Sequence, residues 1–113
     1  MHEFSIASSI IDIVNRTARE NGISRVTRVT VRVGELRLVL PESLKFAFSV
    51  CAKGSVAENG EIQIEKVPAT GKCSSCGNEF RVGSFQFVCP SCGSADMSIV
   101  SGEELLVESL EGE

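Results

Sequence analysis

With 113 residues, 42% of them hydrophobic and 23% charged, the chain is long enough for one small globular core and too apolar to be disordered. It has six Phe but neither Trp nor Tyr, so Ile, Val and Leu must carry that core. The net charge of −4 is unevenly spread, with eight basic and five acidic side chains in residues 1–57 against three and ten in 58–113, and this argues against a nucleic-acid protein, which needs a basic footprint on phosphates.

Residues 4–20 read as a helix, because Phe4, Ala7, Ile10, Ile11, Val14 and Ala18 recur at steps of three and four. Gly22 is placed to end it in the left-handed conformation. Before Arg16 there is no basic residue, and Ser8, Ser9, Asp12 and Asn15 interrupt the apolar run, so neither a signal peptide nor a membrane span is expected. Residues 25–33 alternate, with Val29, Val31 and Val33 on one face and Arg28, Thr30 and Arg32 on the other, which is a half-buried strand. Pro41-Glu42-Ser43 opens a second helix running to about Ala52, and Glu61 to Val67 forms a second strand after the Asn59-Gly60 turn. Pro68-Ala69-Thr70-Gly71 reads as a linker into a cysteine-bearing module. Within that module, Phe80, Val82, Phe85, Phe87 and Val88 suggest a short hairpin. Glu103 to Leu110 makes a third strand.

The module carries the strongest chemical signal. Cys73-Ser-Ser-Cys76-Gly77 and Cys89-Pro-Ser-Cys92-Gly93 are two Cys-x-x-Cys knuckles, whose paired thiolates build a tetrahedral site suited to zinc and, less often, iron. A redox dithiol is the plainer reading of one such pair and explains two matched pairs poorly. Four protein ligands leave no open position, so the metal is expected to be structural. Cys51 stands alone and reads as a packed structural thiol. Five cysteines, four of them in metal spacing, suit a reducing cytoplasmic compartment.

The one histidine, His2, lies beside the α-amine in Met1-His2-Glu3. The amine, the His2 amide nitrogen and the His2 Nδ1 can close fused chelate rings over three corners of a square, with a Glu3 group as one source of the fourth. That geometry favours Ni(II) or Cu(II). A frayed, solvated terminus is the plainer reading of these residues.

Taken together the motifs resemble the HypA/HybF hydrogenase nickel-incorporation proteins. The resemblance rests on Met1-His2-Glu3, Arg25-Val26, Val31-Arg32-Val33-Gly34-Glu35, Pro41-Glu42-Ser43-Leu44 with Phe46-Ala47-Phe48, Val67-Pro68-Ala69, the two knuckles, and Ser101-Gly102-Glu103-Glu104-Leu105, in that order over essentially the whole chain. It implies a non-catalytic metallochaperone in which Met1, His2 and Glu3 bind transient nickel and Cys73, Cys76, Cys89 and Cys92 hold structural zinc. It also implies delivery to the large subunit of [NiFe]-hydrogenase together with a HypB-type GTPase, and in some organisms service to urease. Relatives with histidines beside the knuckles are known, and this chain has none there.

The fold expected is α+β: a small three-stranded sheet with two helices, plus an inserted zinc-ribbon-like module built on the four cysteines. Residues 1–69, completed by 97–113, would form the nickel-binding domain and 70–96 the zinc module. A rubredoxin-like electron carrier and a zinc-ribbon adaptor for nucleic acid or protein are the rivals. The first is weakened by the missing Trp and Tyr, the second by the acidic second half.

Overall fold

The computed structural model describes residues 2–82 and 88–113. Helix α1 (His2–Glu20) and helix α2 (Pro41–Cys51) accompany a sheet in the order β2 (Glu61–Val67), β1 (Val26–Gly34), β6 (Leu105–Gly112). A second sheet has the order β4 (Glu79–Arg81), β3 (Thr70–Cys73), β5 (Met97–Ser101). The chain separates into two compact units, one made of residues up to Arg32, Val39–Glu65 and Leu105–Glu113, the other of Val33–Leu38 and Lys66–Glu104.

In the first unit, the periodicity of α1 becomes burial: Ala7, Ile10, Ile11, Val14 and Ala18 are all buried, and the helix packs along α2. The helix ends as its sequence predicts. Gly22 sits at φ 68°, the Ile23 N–H donates to the Ala18 carbonyl at 2.9 Å, and the Gly22 N–H reaches Arg19 O at 3.5 Å, a Schellman stop. Pro41 opens α2 where its missing N–H costs nothing, and Leu44, Ala47 and Phe48 are buried.

Val26, Val29 and Val31 of β1 are buried while Arg28 lies on the open face. Arg28 pairs with Glu61 at 3.4 Å, and Arg32 neighbours Glu65 four residues further along both strands, so β1 and β2 run in the same direction with α2 as the crossover. Strand β6 runs the other way, since Arg25 and Glu113 exchange both main-chain hydrogen bonds, at 3.1 and 2.9 Å. Arg32 pairs with Glu108 at 3.6 Å. Glu65 hydrogen-bonds Glu108, and this contact with a second acid holds its carboxyl above the usual range.

In the second unit, β3 pairs antiparallel with β4 (Gly71 opposite Phe80) and with β5 (Gly71 opposite Ile99). The expectation of a linker at 68–71 is therefore corrected, since Thr70 and Gly71 already belong to the central strand. The compact unit that holds the four cysteines is larger than residues 70–96. It includes β5, which supplies the third strand of its sheet, and the remote segment Val33–Leu38. Of the expected module hairpin, Phe80 lies in β4 and Val82 follows it buried, while Phe85 and Phe87 lie outside the described residues.

Glu35 ties the remote segment down. Its carboxylate accepts the Ala69 N–H at 3.0 Å and faces the Arg81 guanidinium at 3.4 Å. The Ala69 hydrogen bond first, and Arg81 after it, hold the carboxyl below the ordinary value despite partial desolvation. A carboxyl lowered by folding contributes stability that is complete above its unfolded pKa and is lost as pH falls through its folded pKa. Glu35→Gln is therefore expected to lower stability at neutral pH and to narrow its gap from the natural protein as pH drops below about 4.3. Urea midpoints of both proteins across that range check this, and a gap independent of pH would contradict it.

Candidate metal centre

Each knuckle is folded by its own main chain. The Gly77 N–H donates to Cys73 O at 2.9 Å and the Gly93 N–H to Cys89 O at 2.8 Å. The two glycines sit at φ 77° and 76°, a left-handed conformation that side-chain-bearing residues adopt at a cost. The Cys73 N–H donates to Asn78 O and the Cys89 N–H to Ser94 O, both at 2.9 Å. The two halves thus repeat one another, and the first cysteine of each is buried while the second is exposed. Sequence reasoning found the cysteines and glycines but passed over the residue after each glycine. The signal was present as one shared spacing, Cys-x-x-Cys-Gly-x, in both halves.

All four sulfurs lie within 4.8 Å of one another. Cys73 Sγ is 3.5 Å from Cys92 Sγ, and Cys76 Sγ is 3.6 Å from Cys89 Sγ. Zn–S bonds of about 2.3 Å in a tetrahedron place sulfurs roughly 3.8 Å apart, so the donor set fits that ion by number, chemistry and size. Without a metal the thiols share protons unequally. Burial pushes Cys89 up, but the N–H groups of Cys92 and Ser91 and the adjoining thiols outweigh it and bring it to about 6. The Asn78 N–H pulls Cys76 down, yet its hydrogen bond to Cys89, burial and the other thiols drive it up to about 12. Cys73 is lowered, chiefly by the Cys76 N–H. The two buried sulfurs are thus the ones whose surroundings favour the thiolate form.

The other candidate residues stand apart from this cluster. Met1 and the His2 side chain lie outside the described residues. Glu3, in the first turn of α1, is buried and borders a depression of about 350 Å³ with Phe4, Glu42, Ser43 and Phe46. Phe4 and Phe46 meet edge to face with centroids 6.2 Å apart. Cys51 is half-buried, with its thiol 4.0 Å from the Phe4 carbonyl. Among the described residues no helix is long and apolar enough to cross a membrane.

A two-helix α+β unit and a second unit folded about a closed four-cysteine site define a small metal-handling protein, one whose cysteine site has no position left for a substrate. Residues 1–112 match the family described as hydrogenase/urease nickel incorporation, metallochaperone, HypA. The chain is 44% identical over 110 residues to the hydrogenase maturation factor HypA of Chlorobium luteolum, covering 97% of this chain and 94% of that one. It is 42% identical to the factor of the same name from Geobacter metallireducens, over the full length of both. The solution structure of the Ni metallochaperone HypA from Helicobacter pylori superposes with a TM-score of 0.73 at 28% identity, covering 99% of this chain and 97% of that one. The chain belongs to the HypA family of metallochaperones for nickel incorporation in hydrogenase maturation. That membership sets aside the electron-carrier and adaptor readings.

Proposed function

We propose that this protein carries Ni(II) on its amino terminus, through the Met1 amine, the His2 amide nitrogen and Nδ1, and a Glu3 group. Cys73, Cys76, Cys89 and Cys92 hold a structural Zn(II). The observation that carries the reading is the closure of the cysteine site: four protein ligands saturate a tetrahedral ion, so a cargo metal needs another place to bind. The sequence offers one imidazole, at His2, two residues from the start of the chain. Helix α1 begins there, and the first N–H groups of a helix have no intrahelical acceptor. The His2 and Glu3 amides can therefore lose their protons to a metal without breaking a helical hydrogen bond. Glu3 in the first turn offsets the positive end of the helix dipole.

In this reading the first unit handles nickel and the second is organised by zinc. The protein works in the cytoplasm, has no catalytic activity of its own, and passes nickel toward the [NiFe]-hydrogenase large subunit with a HypB-type GTPase. Urease is a second recipient where it is present. Release follows from competition by the recipient's thiolates, or from protonation of His2 and the α-amine, since metal ligands must be deprotonated. His2→Ala is expected to abolish nickel binding in a calorimetric Ni(II) titration of untagged protein while leaving zinc content and the amide spectrum unchanged. Nickel affinity equal to that of the natural protein would overturn the assignment.

A further inference from the structure

The two knuckles repeat each other in main chain but not in side chain, and the difference falls on one sulfur. Asn78 and Ser94 occupy matching positions, each accepting the N–H of the first cysteine of its knuckle at 2.9 Å. The N–H of each also bonds the sulfur of the second cysteine, Asn78 to Cys76 and Ser94 to Cys92. Their side chains diverge. Ser94 Oγ accepts from Ser75 Oγ of the first knuckle and from the Asp96 N–H, both at 3.1 Å, a tie that involves no ligand sulfur. Asn78 also reaches across to the other knuckle, but there its Nδ2 donates to a sulfur, Cys89 Sγ, at 3.9 Å. Cys89 Sγ also accepts the Ser91 N–H at 3.4 Å. This buried sulfur thus has a side-chain amide donor from the opposite half of the site.

The geometry points to Asn78 as a positioning residue of the metal centre: it stitches the two knuckles together and withdraws charge from the Cys89 thiolate. The inference rests on the reading of the four cysteines as a metal site. An amide N–H aimed at a sulfur stabilises its lone pairs, which weakens its donation to the metal and lowers the repulsion among four anionic ligands packed around one dication. Asn78 does this while its carbonyl fixes the first knuckle, so one residue couples the shape of one half to the charge on the other. Serine at this position would match the residue of the other knuckle and remove the donor to the Cys89 sulfur.

The test uses the metal-free full chain titrated with Co(II), which takes the tetrahedral thiolate geometry and reports it through sulfur-to-metal charge-transfer bands, followed by competition with Zn(II). Asn78→Ser is expected to lower zinc affinity about tenfold and to move the charge-transfer band to longer wavelength, because the Cys89 sulfur becomes easier to oxidise. Asn78→Asp, of nearly the same size, loses the donor and adds a negative charge, and is expected to shift the band the same way with a larger loss of affinity. A band unmoved in both variants would overturn the inference, even with weakened binding, since a purely structural role changes affinity and not the colour of the bound ion. A natural chain that shows no tetrathiolate cobalt spectrum would instead overturn the metal-site reading beneath it.

Discussion

Substituting Cys89 by serine is expected to release the metal and unfold the second unit while both helices remain. The reason lies in what that unit buries. Apart from Cys73 and Cys89, the buried hydrophobic side chains of that unit are Val33, Val67, Ala69 and Val82 among the described residues. Three buried valines contribute about 1.5–3 kcal/mol each. A structural zinc contributes on the order of 10–16 kcal/mol in small zinc-folded peptides. With the four cysteines holding a zinc ion as proposed, metal binding would outweigh apolar burial in keeping β3, β4 and β5 together. Cys89→Ser, or a strong chelator, should collapse the amide resonances of residues 70–101 into the unfolded range. Those of His2–Glu20 and Pro41–Cys51 should stay dispersed, and helical circular dichroism should be retained. Replacing Cys76 also leaves three thiolates, but its position faces solvent and water can fill the gap, so a weaker, still metal-dependent fold is expected there. Dispersed amides throughout residues 70–101 after complete metal removal would show that the apolar contacts suffice on their own.

Phe48→Ala is the matching experiment on the first unit. Phe48 is 1% exposed and is the bulkiest of the fully buried side chains among the described residues. Its neighbours in α2, Leu44 and Ala47, are buried by the same helical face. Truncating a buried Phe to Ala costs about 3–5 kcal/mol, from the lost transfer of the ring and from the cavity left behind. Against a total stability of about 5–15 kcal/mol, that is a large share for one residue. A urea midpoint lowered in proportion, with the cobalt spectrum of the cysteine site unchanged, is the expected result. A midpoint within error of the natural protein would mean the site collapses around the missing ring.

What the sequence disclosed follows from where each signal is stored. The stripe of α1, the Gly22 stop, the Pro41 helix start and strand Glu61–Val67 are local patterns, and each appears in the structure within a residue or two. The cysteines were equally legible, because metal spacing is local within each knuckle. Strands β3 and β5 were not. Thr70–Cys73 is four residues long and begins beside Pro68, which invites a linker reading. Met97–Ser101 leaves Ser98, Ile99 and Val100 exposed in succession and so shows no alternation. Both strands exist because of each other, with Lys72 opposite Ser98 and Cys73 opposite Met97, and pairing at that separation leaves no periodic trace. The attachment of Val33–Leu38 to the second unit escaped for the same reason. It depends on Glu35 meeting Ala69 and Arg81, residues more than thirty positions away. At the amino terminus the sequence discloses ligand chemistry alone, and the titration of His2→Ala is the measurement that bears on it.

In a metal-loaded centre, the alternation of buried and exposed cysteines would govern how fast the ion turns over, separately from its affinity. Cys73 and Cys89 are sealed, so solvent and competing ligands approach through the sulfurs of Cys76 and Cys92. Exchange by an incoming thiol or chelator would then begin at those two outer sulfurs, with the inner pair retaining the ion. A tetrathiolate centre built this way would owe its lifetime to the nucleophiles around it as well as to its dissociation constant.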